Sequence, residues 1–345
     1  MKAVYYVGDD HMEMRDIPVP EPKEDEYLVK IDACGVCGSD YEGYKGKTGR
    51  RVAPMIMGHE CAGTIVKKPV AGGKMEPGTT VAIFPKFFCG VCPTCLSGKV
   101  NICPNANFLG VLDYDGAMTE FVCVKEQYLI PYEGASADIA SLAEPAAVAY
   151  NAINKISDEE LAAAENILLV GAGTIGMMAL IWLKHRGAKH VIVSDMSRIR
   201  LDLAGKMGAD DVIDPSSCGD FEKAIAEKTG GKMCDISVEA VGISPTAQSA
   251  VDALRPAGLS VWIGNAAKMV SINMQYVVTK ELTIKGNYIY SYRDFCDCVK
   301  LLSEKKVDVS PVISLHLPMA RGDEAFRMLD NNGDGKLIKI VLENK

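Results

Sequence analysis

Residues 167–195 read ILLVGAGTIGMMALIWLKHRGAKHVIVSD, and the pattern of this stretch decides the fold. The apolar run 167–170 has the length of a buried strand, and Gly171, Gly173 and Gly176 follow it at GxGxxG spacing, directly before a helical stretch. In such a turn the first glycine permits the tight bend, the second lets a pyrophosphate approach the backbone, and the third lets helix and strand pack closely. The helix start adds N–H groups and the positive end of a dipole, so the loop GAGTIG, including Thr174 and Ile175, is a candidate cofactor-binding loop. A second apolar run ends at Asp195, 24 residues after Gly171, near the offset of about 20 expected for an acid that accepts ribose hydroxyls. A carboxylate there repels a 2′-phosphate and favours NAD over NADP, an inference that Arg198 and Arg200 soften. Arg200 is kept among the cofactor-binding candidates.

Outward from this stretch, DISVEAV and LSVWIG continue the alternation of short apolar runs with helical segments, which implies a parallel sheet covered on both faces over 147–286. Residues 1–146 read differently: short β-rich runs such as EYLVKIDACG and TTVAIF, broken by Gly and Pro, predict an irregular antiparallel β domain. After residue 287 come a helix-like stretch, DFCDCVKLLSEKK, and a closing strand, KLIKIVLEN. A length of 345 residues suits two domains. The net charge of −8 argues against a nucleic-acid binder, and 48% hydrophobic with 24% charged residues is ordinary globular composition. Ile167 to Leu183 carries no charge, but it is short for a membrane span and three glycines interrupt it, so it reads as strand, turn and helix. The start MKAVYYVGDDHMEM has no signal-peptide pattern and predicts a cytoplasmic protein.

Twelve cysteines in a reducing compartment point to metal rather than disulfides. Cys89, Cys92, Cys95 and Cys103 in CGVCPTCLSGKVNIC can close a tetrahedral shell around a structural Zn²⁺ in a lobe spanning 86–105. Cys37 in GVCGSD, His59 and Glu60 in GHE, and Glu144 in AEP could together supply three ligands and leave one position open, the arrangement of catalytic zinc. Each alone reads more simply as a buried thiol or a satisfied polar group. DNNGDGKLIKIV begins like a calcium loop, but Val341 stands where a bidentate glutamate is needed, so a surface turn is expected.

With these motifs in this order, the chain resembles the zinc-dependent medium-chain alcohol and polyol dehydrogenases over essentially its whole length, closest to the branch of sorbitol dehydrogenase and galactitol-1-phosphate 5-dehydrogenase. The resemblance implies an α/β protein with a GroES-like catalytic domain from both chain ends (1–146 and 287–345), an inserted Rossmann domain (147–286), and NAD in the cleft between them. It carries Cys37 and His59 over as catalytic zinc ligands and Glu60 and Glu144 as carboxylates near the metal, either of which ligates directly. Ser39 becomes the hydroxyl that touches the substrate oxygen and passes its proton outward, although a turn or helix-cap serine is the plainer reading. Glu42 departs from the pattern, since many relatives carry a histidine there. Ile263, Gly264 and Asn265 would border the nicotinamide.

The implied reaction is hydride transfer from a secondary hydroxyl of a polyol, polyol phosphate or sugar derivative to NAD⁺, giving a ketone and NADH. Competing readings are a butanediol, short-chain secondary alcohol or amino-alcohol dehydrogenase, a non-catalytic NAD-binding relative, and a redox sensor or zinc-ribbon interaction protein. Lys45, Lys47, Arg50 and Arg51 form a cationic run that would attract an anionic substrate, where a solvated loop is the simpler account. A homo-oligomer, dimer or tetramer, is expected from the same resemblance, with no nucleic-acid or membrane partner.

Overall fold

The apolar run after Glu165 is buried at every residue because sheet neighbours flank it on both sides and helices cover its faces. The structure, a computed structural model, describes residues 1–8, 10–112 and 114–344. In it this run is β1 (Asn166–Val170), followed by β2 (His190–Ser194), β3 (Asp211–Ile213), β4 (Cys234–Glu239), β5 (Leu254–Trp262) and β6 (Thr283–Gly286). All pair in parallel, in the order β3-β2-β1-β4-β5-β6. This is the doubly wound order whose direction reverses between β1 and β4, the point where such sheets bind ligands. Leu168, Ile192 and Leu254 are fully buried in its core, each contributing about 1.5–3 kcal/mol. Asp235 pins the start of β1: its carboxylate accepts from the backbone N–H of Glu165 (2.8 Å) and Asn166 (2.9 Å), and Arg255 donates to it at 2.7 Å.

The chain divides into two compact units, and the second comprises Pro145–Tyr290 together with Asp334–Lys336. Its edges lie a few residues outside the expected 147–286 for identifiable reasons. Trp182 donates from its indole N–H to Ala146 O at 2.9 Å. Asn287 donates to Val148 O at 3.2 Å, and Asn151 donates to Ile289 O at 2.8 Å. Side-chain bonds of this kind leave no trace in hydrophobic periodicity. The turn 334–336 joins this unit because Ser197 donates to Asp334 O (2.8 Å) and Arg200 to Gly335 O (2.9 Å).

The first unit holds Met1–Glu144, Ser291–Gly333 and the residues from Leu337 onward. Its seven-stranded sheet centres on Glu26–Val36, which pairs antiparallel with Glu60–Lys67, with Phe121–Lys125 and with the closing strand Lys339–Glu343. The helix expected after residue 287 spans Tyr292–Ser303 and opens with a capping box, Ser291 with Asp294. It buries Phe295, Cys298, Val299 and Leu302, one face at helical spacing. The calcium-like segment is a turn that Asn332 closes on Leu337, with its side chain both accepting (2.9 Å) and donating (2.7 Å). No helix among the described residues is long and apolar enough to cross a membrane.

Gly171 has φ +96°, and a Cβ on Gly176 would overlap the carbonyl oxygen of Gly171, whereas a Cβ on Gly173 would meet nothing within 4 Å. Gly176→Ala is therefore expected to cost about 1–3 kcal/mol. Gly173→Ala should stay within about 0.5 kcal/mol of wild type. Calorimetric melting of both variants checks this; equal midpoints would contradict it.

Candidate active site

Three elements of the first unit converge on one buried centre. Cys37 caps the short helix Gly38–Tyr44, His59 precedes the strand Glu60–Lys67, and Glu60 is that strand's first residue. Their ligand atoms all lie within 4.8 Å of one another. In register, Glu60 stands opposite Gly35, where a Cβ would overlap the Glu60 carboxylate, so this glycine makes room for the side chain. Phe108 packs its ring against His59 at 5.5 Å, edge to face, and excludes water from that side.

The charges around the centre are arranged by residues that the motifs alone did not single out. Lys339, 1% exposed, donates to both oxygens of Glu60 (2.7 and 2.6 Å) and to Val36 O (3.0 Å). Burial by itself would lower its pKa, but the Glu60 carboxylate outweighs that and raises it above the ordinary 10.5. Asp40, fully buried, lies 3.5 Å from His59 Nδ1 and accepts from Arg51 Nη2 at 2.6 Å and Nε at 3.2 Å. Burial would raise its carboxyl; the facing His59 ring and the Arg51 guanidinium hold it far below the usual carboxylate range. Ser39 does not cap the helix: its hydroxyl donates to Cys37 Sγ at 3.3 Å and accepts from Arg51 Nη2 at 3.3 Å. Glu144 is buried, outside the trio of ligand atoms, and close enough to Lys339 and Cys61 to act on both electrostatically. Burial raises the pKa of Glu42.

This places the cationic run differently from the expectation of four cations open to an anionic substrate. Arg51 is buried because the internal charge of Asp40 draws it in, and Lys45 is ion-paired with Asp10 and Asp330. Lys47 and Arg50 are exposed.

The donor set fits zinc: a thiol, an imidazole and a carboxylate in reach of one another. The lobe fits it as well. Cys103 Sγ lies 3.6 Å from Cys89 and 3.8 Å from Cys92, and Cys89 Sγ lies 3.9 Å from Cys95, close to the ~3.8 Å edge of a tetrahedron with ~2.3 Å bonds. The Thr94 hydroxyl, 3.0 Å from Sγ, and the Cys95 backbone N–H bring the Cys92 thiol down to about 6, while burial and the neighbouring Cys92 push the Cys95 thiol up to about 12. A third group, Asp138, His316 and Glu343, also has ligand-like spacing, but the two ring nitrogens of His316 already face Glu343 (3.1 Å) and Asp138 (3.8 Å).

In the second unit, Asp195 follows β2 and is oriented by the backbone: its carboxylate accepts from Ala172 N at 2.7 Å and Ser197 N at 2.8 Å. Arg198 is paired with Asp202. Glu239, at the end of β4 and 1% exposed, accepts from Val241 N (3.0 Å) and Gly242 N (2.7 Å), while its carbonyl accepts from Ile263 N and Gly264 N. It therefore shapes the loops at the sheet's switch point, beside the Ile263–Asn265 segment. Only its position at the end of an apolar run could have signalled this.

Sequence comparison agrees with the geometry. Residues 23–134 match the model of the alcohol dehydrogenase GroES-like domain, and residues 174–304 match that of the zinc-binding dehydrogenases. The chain belongs to the zinc-dependent medium-chain alcohol and polyol dehydrogenases, and it is an oxidoreductase of that class, using zinc and a nicotinamide cofactor. Among its relatives, a sorbitol dehydrogenase of Bacillus subtilis is 32% identical over 332 residues, covering 94% of this chain and 92% of that protein. Galactitol-1-phosphate dehydrogenase of Escherichia coli superposes with a TM-score of 0.90 at 26% identity, covering 99% of this chain and 100% of that one. A zinc-binding dehydrogenase of Sinorhizobium meliloti bound to NADP superposes with a TM-score of 0.90 at 25% identity, covering 99% and 98%.

Lys339→Met would strand the Glu60 charge in the interior and is expected to cost about 3–5 kcal/mol in urea unfolding. The loss should grow after chelation, which takes away the other cation available to Glu60. The lysine's raised pKa makes its contribution fully present below pH 10.5 and lost only as pH rises through the higher folded value, so the deficit should be flat from about pH 6 to 9. A deficit confined to acid pH would contradict the pairing.

Proposed function

We propose that the chain oxidises a secondary hydroxyl of a polyol, free or phosphorylated, with NAD⁺, on a catalytic zinc held by Cys37, His59 and Glu60, and that Cys89, Cys92, Cys95 and Cys103 hold a second, structural zinc. The observation that carries this reading is the trio, with His59 and Glu60 buried and Cys37 half-buried, and the Ser39 hydroxyl beside it, 3.3 Å from Cys37 Sγ. The chemistry supplied there by bound zinc is Lewis-acid activation of the substrate oxygen, and that supplied by the nicotinamide is hydride acceptance. Ser39 takes the proton from the substrate hydroxyl and passes its own outward. Glu42, where many relatives carry a histidine, or a water chain in its stead, takes the outer step. Asp40 orients His59, and Lys339 aims Glu60 by donating to both of its carboxylate oxygens.

The preference for NAD⁺ rests on Asp195, held with its charge at the end of β2 by two backbone N–H groups. Nicotinamide reduction is followed at 340 nm with zinc-replete protein, sorbitol, xylitol, galactitol and their phosphates, and both cofactors. Turnover of at least one polyol with NAD⁺ in excess over NADP⁺ is expected, and the ratio of free to phosphorylated substrate reads out the substrate class. Activity with butanediol alone would overturn the polyol assignment. Asp195→Asn removes the charge and should raise the NADP⁺/NAD⁺ ratio of kcat/KM about 10- to 100-fold; an unchanged ratio would place the discrimination elsewhere.

A further inference from the structure

We propose that Arg51 is a positioning residue for proton transfer: it fixes the hydroxyl of Ser39 toward the metal ligands. The inference rests on the reading of Ser39 as the proton carrier and adds a residue to it. The Arg51 side chain is 3% exposed and spans two partners, with Nε and Nη2 on Asp40 Oδ1 (3.2 and 2.6 Å) and Nη2 also on Ser39 Oγ (3.3 Å). Room for it is built into the helix, since a Cβ on Gly43 would overlap Arg51 Cγ. Asp40 alone would need only a cation, and a lysine could serve; the planar fork is what reaches the serine as well.

The consequence follows from hydroxyl chemistry. A serine has one hydrogen to give and two lone pairs, and a guanidinium only donates. Arg51 therefore occupies one lone pair and turns the O–H away from itself, and the structure shows that O–H on Cys37 Sγ at 3.3 Å. One lone pair is left to take the substrate's proton, and as it does so the O–H that rests on Cys37 Sγ is released to the outward acceptor. Without the fork the hydroxyl is free to rotate, and a larger share of turnovers begins with it misaligned. Arg51 takes no proton itself, because a guanidinium remains charged at any working pH.

The test is a double-mutant cycle between Arg51→Lys and Ser39→Ala on the zinc-loaded enzyme, using the fastest substrate of the polyol panel. Arg51→Lys keeps the charge beside Asp40 and loses the fork. It is expected to lower kcat about tenfold and enlarge the solvent deuterium isotope effect, with KM for NAD⁺ and zinc content unchanged. In the Ser39→Ala background the same change should alter kcat less than about twofold. Should the lysine variant fail to fold, Gly43→Ala, which displaces Arg51 without altering any charge, takes its place in the cycle with the same expectation. Losses that multiply across the cycle would mean that Arg51 acts through Asp40 and His59 alone, and would overturn the proposal. A Ser39→Ala enzyme with wild-type kcat would overturn the relay reading and this inference together, while zinc-dependent turnover would still stand.

Discussion

An ammonium group withdrawn from water stays charged only where a carboxylate meets it, and Lys339 meets Glu60 with hydrogen bonds to both oxygens. The rest of the first unit is arranged to allow this pair. The closing strand Lys339–Glu343 lies beside Glu26–Val36, which places Lys339 across that strand from Glu60; Gly35 leaves space for the carboxylate; Val36 O takes a further hydrogen of the ammonium. A carboxylate held this way is fixed in place and lies beside Cys37 and His59. The same logic recurs on the other side, where Arg51 balances Asp40, which in turn faces His59. Glu60 is thus matched to a cation 279 residues away, and Asp40 to one 11 residues away.

The second unit uses a different device. Asp195 and Glu239, at the ends of β2 and β4, are held by backbone N–H groups rather than by cations. Backbone donors orient the Asp195 carboxylate without setting a counter-charge beside it. In a single chain, then, carboxylates at the ligand centre are charge-balanced, and the one proposed to select the cofactor is left unbalanced.

Legibility in the sequence followed the distance between partners. The glycine turn, Asp195 and the four-cysteine lobe each lie within a short stretch, and spacing alone conveys their geometry. Cys37, His59 and Glu60 were recognisable only as family motifs, because their convergence depends on strand pairing between residues 26–36 and 60–67. Lys339 sits in KLIKIVLE, where a lysine between apolar residues reads as one exposed position of an edge strand; its strand lies between two others, 279 residues from Glu60. Arg51 looked like part of a solvated cationic loop because its neighbours Lys47 and Arg50 are exposed, and nothing local distinguishes it from them. The unit boundaries moved for the same reason, through side-chain bonds such as Asn151 to Ile289 that no periodicity encodes.

The central claim is that the trio Cys37, His59 and Glu60 holds the metal that turns over substrate, separately from the cysteine lobe. Its most direct test is zinc per chain, together with NADH binding, in wild type and in His59→Ala. The account predicts that wild type carries a zinc at each site, and that the variant loses one, loses turnover, and still binds NADH through an intact second unit. A His59→Ala protein that retained the full zinc content and its turnover would contradict it.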